Sequence, residues 1–230
     1  MPIVKTEAFV LKSLKYGETS KIVTLFTKDF GKMSALVKGA RNYKSRLCGV
    51  LETMNYVNTI IYKKDNRDLQ LLTSAEYILS FKNIMTDFQK LQIAFRIIEM
   101  VNKSIIFSEK NKLIFDLLLQ TFSRLDNSVK NPVYVILGFQ IEFLKILGIS
   151  PYYFSESENK IYFNEIINLN ERQINFLELF EKKQLNECDI NDDTDKIRLS
   201  EVFEKFLLEH TQSSSYYLSK KIFKELNQFN

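Results

Sequence analysis

One histidine and two cysteines among 230 residues leave little from which to build a reactive centre. Cys48 and Cys188 are too few for a disulfide framework. With a single imidazole they do not complete a zinc site either. His210 lies in the helix-like "FLLEHTQ" with no cysteine beside it, and the chain has neither a nucleophile elbow nor a Walker-type glycine loop. A lone histidine in such a place reads as structural or exposed. The acidic "DINDDTD" (Asp189–Asp195) resembles a calcium loop only in outline. Counted from Asp189, Thr194 takes the place of the turn glycine and Ser200 that of the bidentate glutamate. These absences argue against an enzyme, a bound metal and a cofactor. Long apolar runs are missing too. Val133–Leu147 is the longest, and its fifteen residues carry Glu142 and Lys145, short of the roughly 20 apolar residues that span a bilayer. "MPIVKTEAF" does not read as a leader, so no membrane association and a cytoplasmic location are expected.

Charge of one sign is scarce overall but not locally. The net formal charge is +4, yet residues 1–80 hold thirteen Lys/Arg against seven Asp/Glu, and residues 81–230 hold nineteen against twenty-one. Such an asymmetry points to a polyanion-binding module joined to a more neutral one.

The first eighty residues read as β-structure. "EAFVLKSL", "SKIVTLFTK", "KMSALVKG", "MNYVNTIIYKK" and "LQLLTSAEYI" are short β-prone runs, most of them separated by turn-formers. Five strands at about ten-residue spacing describe a small barrel, OB-type or SH3-like. Near residue 80 the period becomes helical. Leu91, Phe95, Ile98, Val101 and Ile105 mark one face; Ile114, Leu117, Leu118, Thr121, Phe122 and Leu125 mark another. A nearly all-apolar helix over Val133–Leu147, between Asn131-Pro132 and Gly148, belongs at the centre of a bundle. Further helices are expected at 171–182, 197–211 and 216–228, the penultimate one capped by Thr194. Pro151–Leu169 is irregular, with room for a short hairpin. The expected class is α+β: a five-stranded barrel over 1–80 followed by an otherwise all-α domain over 81–230.

The local excess of charge is in "KGARNYKSR". Lys38, Arg41, Lys44 and Arg46 supply cations for phosphates, Tyr43 a face for a base, and Gly39 and Gly49 flank them. Lys32 and Lys12 are candidates to assist, with Lys15, Lys21 and Lys28 nearby in sequence. A solvated basic loop would carry the same residues. Seven arginines against twenty-five lysines favour phosphate neutralisation over base readout. A second basic stretch, "LSKKIFKEL" (Leu218–Leu226), sets Phe223 among Lys220, Lys221 and Lys224. It suits an acidic, hydrophobic peptide, or a last helix that packs on the bundle with its lysines in water.

Read together, these motifs resemble a known family. Phe9–Leu11, the "YGETS" turn (Tyr16–Ser20), the Val23–Gly31 strand pair and Lys38–Arg46 follow in the order found in the RecO family of bacterial recombination and repair mediators. "NPVYVILGFQIEFLKILGISP" is similar to the family's central helix, and "FLLEHTQSSSYYLSKKIFKEL" to its closing pair. The resemblance implies an OB-fold amino-terminal domain that binds single- and double-stranded DNA and anneals complementary strands. It also implies partnership with RecR and with the acidic tail of single-stranded-DNA-binding protein for recombinase loading, in a cytoplasmic protein that joins the nucleoid during repair. It places Lys38, Arg41, Lys44 and Arg46 on the DNA surface and the 218–226 segment beside the tail. Many members carry two CxxC pairs after the central helix; "YYFSESENKIYFNE" has none, so no zinc is expected. Packing of Tyr152, Tyr153, Phe154, Ile161, Tyr162 and Phe163 would replace the metal, or its contribution is absent. The rival expectation is a non-catalytic adaptor of a repair complex with little DNA binding of its own.

Overall fold

The structure, a computed structural model, describes residues 2–128, 132–158, 160–164, 167–182 and 193–211. Five strands, β1 (Ile3–Tyr16), β2 (Ser20–Thr27), β3 (Gly31–Val37), β4 (Tyr56–Tyr62) and β5 (Leu69–Leu79), close into a barrel in the order β1-β2-β3-β5-β4. β1 is long enough to serve two neighbours. Its first half pairs with β4 and its second with β2, and the register shift between Val10 and Lys12 marks the bulge where it bends. Closure comes from a short parallel pairing of β3 with β5. That order is the OB arrangement, and it decides against the SH3-like alternative.

Alternation along each strand fills the barrel. Ala8 and Val10, Val23 and Leu25, Met33, Ala35 and Val37, Val57 and Ile61, and Leu72 and Ala75 point inward and are buried. Three of these positions are alanine, which suits the narrow interior. The β3–β4 connection lacks regular structure but is not loose. Ala40, Val50 and Leu51 turn back into the same core.

Three helices follow: α1 (Lys82–Thr86), α2 (Phe88–Ser104) and α3 (Lys112–Asn127). Asp87 caps α2, accepting from the amides of Gln89 at 2.9 Å and Lys90 at 3.1 Å. Asn111 begins α3, its side chain accepting from the Ile114 amide at 3.0 Å. The buried face of α2 runs through Ile93, Ala94, Ile97, Met100 and Val101. Of the line expected in sequence, Ile98, Val101 and Ile105 are buried, while Leu91 and Phe95 at its start are half-buried. α3 meets the outer wall of the barrel through aromatic rings. Phe9 of β1 stacks on Tyr56 at 4.8 Å and lies 5.7 Å from Phe115 and 5.5 Å from Phe122. Residues 2–126 thus form one compact unit, barrel and α1–α3 together.

The second unit, over residues 127–211 where described, holds α4 (Val133–Ile146), a hairpin of β6 (Tyr152–Ser155) and β7 (Lys160–Phe163), α5 (Glu171–Glu181) and α6 (Asp193–His210). As its composition implies, α4 is largely buried, and its one buried amide, Gln140, donates to the Ser200 carbonyl of α6 at 3.1 Å. α4 ends in a Schellman turn: the amides of Gly148 and Ile149 bond Lys145 and Leu144 carbonyls at 3.0 and 3.1 Å, with Gly148 at φ +71°. α6 starts earlier than its apolar pattern indicates, so Thr194 lies within its first turn. The cause is packing. Asp195 accepts from Asn170, which caps α5, at 2.7 Å, and the Lys196 ammonium sits 4.2 Å from the Tyr134 ring centre. Among the described residues no helix is long and apolar enough to cross a membrane.

Candidate nucleic-acid interface

The basic stretch occupies the first half of the β3–β4 connection, where the chain leaves β3 at Val37. Consecutive turns hold it: the amides of Asn42, Ser45 and Cys48 bond the carbonyls of Gly39, Asn42 and Ser45 at 3.2, 2.9 and 3.0 Å. The Asn42 side chain adds a bond to the Lys44 amide at 3.0 Å. Gly39 adopts φ +69°, the left-handed turn that glycine enters without strain. The loop is also tied to the β1–β2 turn. The Arg41 amide donates to the Thr19 carbonyl at 2.9 Å, and its guanidinium donates to the Gly17 carbonyl. One of five donors is used there, and the others face solvent.

Buried apolar anchors and locked turns leave the polar side chains outside. Lys38, Arg41, Tyr43, Lys44 and Arg46 are all exposed, Tyr43 by 82%. The Lys44 ammonium stands 5.6 Å from the Tyr43 ring centre. Lys38, Lys44 and Arg46 form no ion pair among the described residues. Chemically this is a turn-held ridge of positive charge with one exposed aromatic face beside Lys44, suited to phosphate and to a stacked ring.

The other lysines named with the stretch separate into three groups. Lys12 and Lys15 are exposed on β1, Lys12 paired in register with Thr24. Lys21 forms an ion pair with Glu52, and Lys28 pairs with Glu7 at 2.9 Å, so both are committed. Lys32 does not belong to the exposed surface at all. Only 6% exposed, its ammonium donates to the carbonyls of Asn102 and Ile105, the latter at 3.1 Å, and lies 4.6 Å from the Phe107 ring centre. Burial pushes its pKa below the usual lysine value. Lys32 fastens the end of α2 to the barrel, and the expectation that it assists at phosphates is corrected.

Glu7 stands beside this framework. It accepts from the Tyr56 hydroxyl and from Lys28, and these two bonds, the tyrosine's first, hold its carboxyl below the ordinary range. The same arrangement, chiefly through burial, raises the Tyr56 phenol. Sequence reading did not find this trio because its members are 21 and 49 residues from Glu7.

In the second unit the hairpin is held by aromatic contacts. Tyr152 is buried and donates to Glu181 at 2.9 Å, while Tyr153 and Tyr162 stack across the strands at 5.4 Å. His210 stacks on Phe206 at 4.0 Å, a local helical contact. Among the described residues no cluster of three metal-ligating side chains forms. Lys220, Lys221, Phe223 and Lys224 lie outside the described residues, as do Cys188 and most of the acidic loop.

Comparison with known proteins agrees with the arrangement of the chain. The family model "Recombination protein O N terminal" matches residues 1–81, and "Recombination protein O C terminal" matches residues 85–216. A DNA repair protein RecO from Pelodictyon phaeoclathratiforme is 39% identical over 149 residues, 65% of this chain and 57% of that protein. Those of Chlorobium limicola and Salinibacter ruber are 36% and 34% identical over the same length and the same shares of each chain. The matched part of this chain thus spans a little under three fifths of these relatives.

Proposed function

Because the chain belongs to the recombination protein O family, we propose that it is a DNA repair and recombination mediator acting by charge neutralisation and strand alignment rather than by catalysis. It binds single- and double-stranded DNA without reading sequence, anneals complementary strands, and helps recombinase onto DNA coated with single-stranded-DNA-binding protein. The observation that carries this reading is the turn-locked ridge of Lys38, Arg41, Lys44 and Arg46, whose cations face solvent around Tyr43. Lys12 assists from β1. Annealing of two polyanions is opposed mainly by their mutual repulsion, and a fixed row of cations lowers that barrier without any reacting group. A turn-held backbone also loses less freedom on binding than a floppy loop would. RecR and the acidic tail of the coating protein are the proposed partners, the tail meeting the Lys220–Lys224 segment.

Annealing of complementary oligonucleotides coated with single-stranded-DNA-binding protein, followed by fluorescence with and without this chain, tests the reading. Acceleration that weakens when the coating protein loses its tail supports both proposed surfaces. Acceleration indifferent to the tail keeps the ridge and removes the tail contact. A folded protein that produces no acceleration sinks the mediator reading in favour of a protein adaptor.

A further inference from the structure

The β1–β2 turn contributes an acid to a surface otherwise built of cations. Val10–Lys21 holds one carboxylate, Glu18, and Lys38–Asn55 holds one, Glu52. Glu52 is neutralised by its ion pair with Lys21. Glu18 is exposed and forms neither an ion pair nor a side-chain hydrogen bond among the described residues. Its place is set by its neighbours. Gly17, at φ +57°, and Thr19 lie on either side of it, and their carbonyls accept from the Arg41 guanidinium and the Arg41 amide, the latter at 2.9 Å. The second bond alone keeps the Glu18 α-carbon within about 9 Å of the Arg41 nitrogen. That is close to one Debye length at physiological salt, about 8 Å. Lys21 and Glu52 join the start of β2 to the ridge a second time, so turn and ridge are held as one body.

No structural task among the described residues accounts for this carboxylate. It caps nothing and pairs with nothing, and it opposes the phosphate that its neighbours attract. Four cations outnumber it, so binding survives. What it alters is the response to charge density. Duplex DNA carries one phosphate charge per about 1.7 Å of axis, and each of its strands one per about 3.4 Å. A duplex on Arg41 therefore brings about twice as many phosphates near Glu18 as a single strand does, and the repulsion grows with that number. A single strand can also turn its phosphates away from one repelling group. A duplex, with a persistence length of about 150 base pairs, cannot.

We propose that Glu18 is a selectivity residue of the ridge: its carboxylate, held beside Arg41, opposes the duplex more than the single strand and so weakens the hold on the annealed product relative to the strands that form it. This inference rests on the proposed DNA-binding function. By themselves the cations of the ridge favour the more highly charged duplex, and a mediator built only of them would be retained by its own product. One carboxylate among them reduces that retention without removing the attraction that gathers the strands. A role in holding the turn has a different consequence. Loss of Glu18 would then loosen Arg41 and weaken binding of both DNAs alike.

The test is fluorescence anisotropy with an oligothymidine of about 16 nucleotides and a duplex of the same length, each at about 0.05 M and about 0.5 M salt. At the lower salt, Glu18→Gln should tighten duplex binding about fivefold and single-strand binding about twofold. At the higher salt screening should bring both gains below about 1.5-fold. Glu18→Ala should behave like the glutamine variant, and Glu18→Asp, which keeps the charge, like the native chain. Release of labelled duplex into excess unlabelled duplex should slow in the glutamine variant by about the factor that its affinity gains. Equal gains on the two DNAs, weaker binding of both, or no change with either overturns the proposal. If Arg41→Glu with Lys44→Glu abolishes binding and the Glu18 variants leave the balance between the two DNAs unaltered, only the reading of Glu18 is lost. If the native chain binds neither DNA, the ridge reading falls with it.

Discussion

Lys32 and Lys44 are both lysines of the basic half of the chain, yet they do opposite work. Replacing Lys32 with alanine leaves two carbonyls at the end of α2 without their donor, at a cost of about 1–3 kcal/mol. Replacing Lys44 with glutamate disturbs no bond of its side chain and should change stability by less than about 0.5 kcal/mol while weakening DNA binding. Urea midpoints and anisotropy on the two variants check the pair together. The sequence has no feature that separates them. Strand alternation puts Lys32 on the outer face of β3, which is correct, but what covers that face is a connection more than seventy residues later. Lys38, Arg41, Tyr43, Lys44 and Arg46 were legible as exposed because a run so polar has no stable place inside a narrow barrel. Glu7 supplies a pH dependence. Its folded pKa is lowered, so the stability it contributes is present above the ordinary carboxylate value of 4.5 and is lost as pH falls through the folded value. Glu7→Gln should therefore flatten the acid limb of stability against pH. An acid limb of unchanged slope would assign the loss to other carboxylates.

At the scale of elements, the connections decide more than the strands do. Gly31, at φ +70°, begins β3 where the α2–α3 connection comes closest, and a Cβ there would overlap the Glu109 carbonyl. Both the backbone conformation and the contact oppose any side chain. Gly31→Ala should cost about 3 kcal/mol or more, read as a lower urea midpoint, and should open the Phe107 side of the barrel to proteolysis. The strands, the apolar α4 and its glycine terminus were legible in sequence, because period and turn chemistry are local signals. The face of α2 was legible only in its second half, where Ile98, Val101 and Ile105 are buried. Leu91 and Phe95 satisfy a helical stripe as well as Ile93 and Ala94 do, and the surface that α2 meets makes the choice. The hairpin at β6 and β7 was legible as an irregular stretch with room for a short hairpin but not in its bounds, since four-residue strands carry little alternation to read.

For the whole molecule, the change of period near residue 80 marks where strands give way to helices, while packing groups α1–α3 with the barrel. Aromatic rings explain the grouping: Phe9 and Tyr56 have no reason to be buried until Phe115 and Phe122 arrive. The charge asymmetry between the two parts of the chain carries a quantitative expectation. If about four to six phosphates are neutralised on a single strand, log affinity should fall against log salt with a slope of roughly −3 to −4. Arg41→Glu with Lys44→Glu should make that slope shallower, and an unaltered slope would remove the ridge from the DNA surface.

The parallel pairing that closes the barrel is only three residues wide, Ser34–Leu36 against Leu69–Leu71, and its partners are 35 positions apart in the chain. A β1–β2–β3 meander forms from near neighbours, whereas this seam must wait for a long loop to close. It should form last and open first. Deuterium should enter the amides of 34–36 and 69–71 before those of Val23–Phe26, and the two segments should exchange together as one cooperative unit. The ridge begins at Lys38, two residues past the seam. Breathing of the barrel should thus be concentrated beside the proposed DNA surface, while the rest of the wall stays shut.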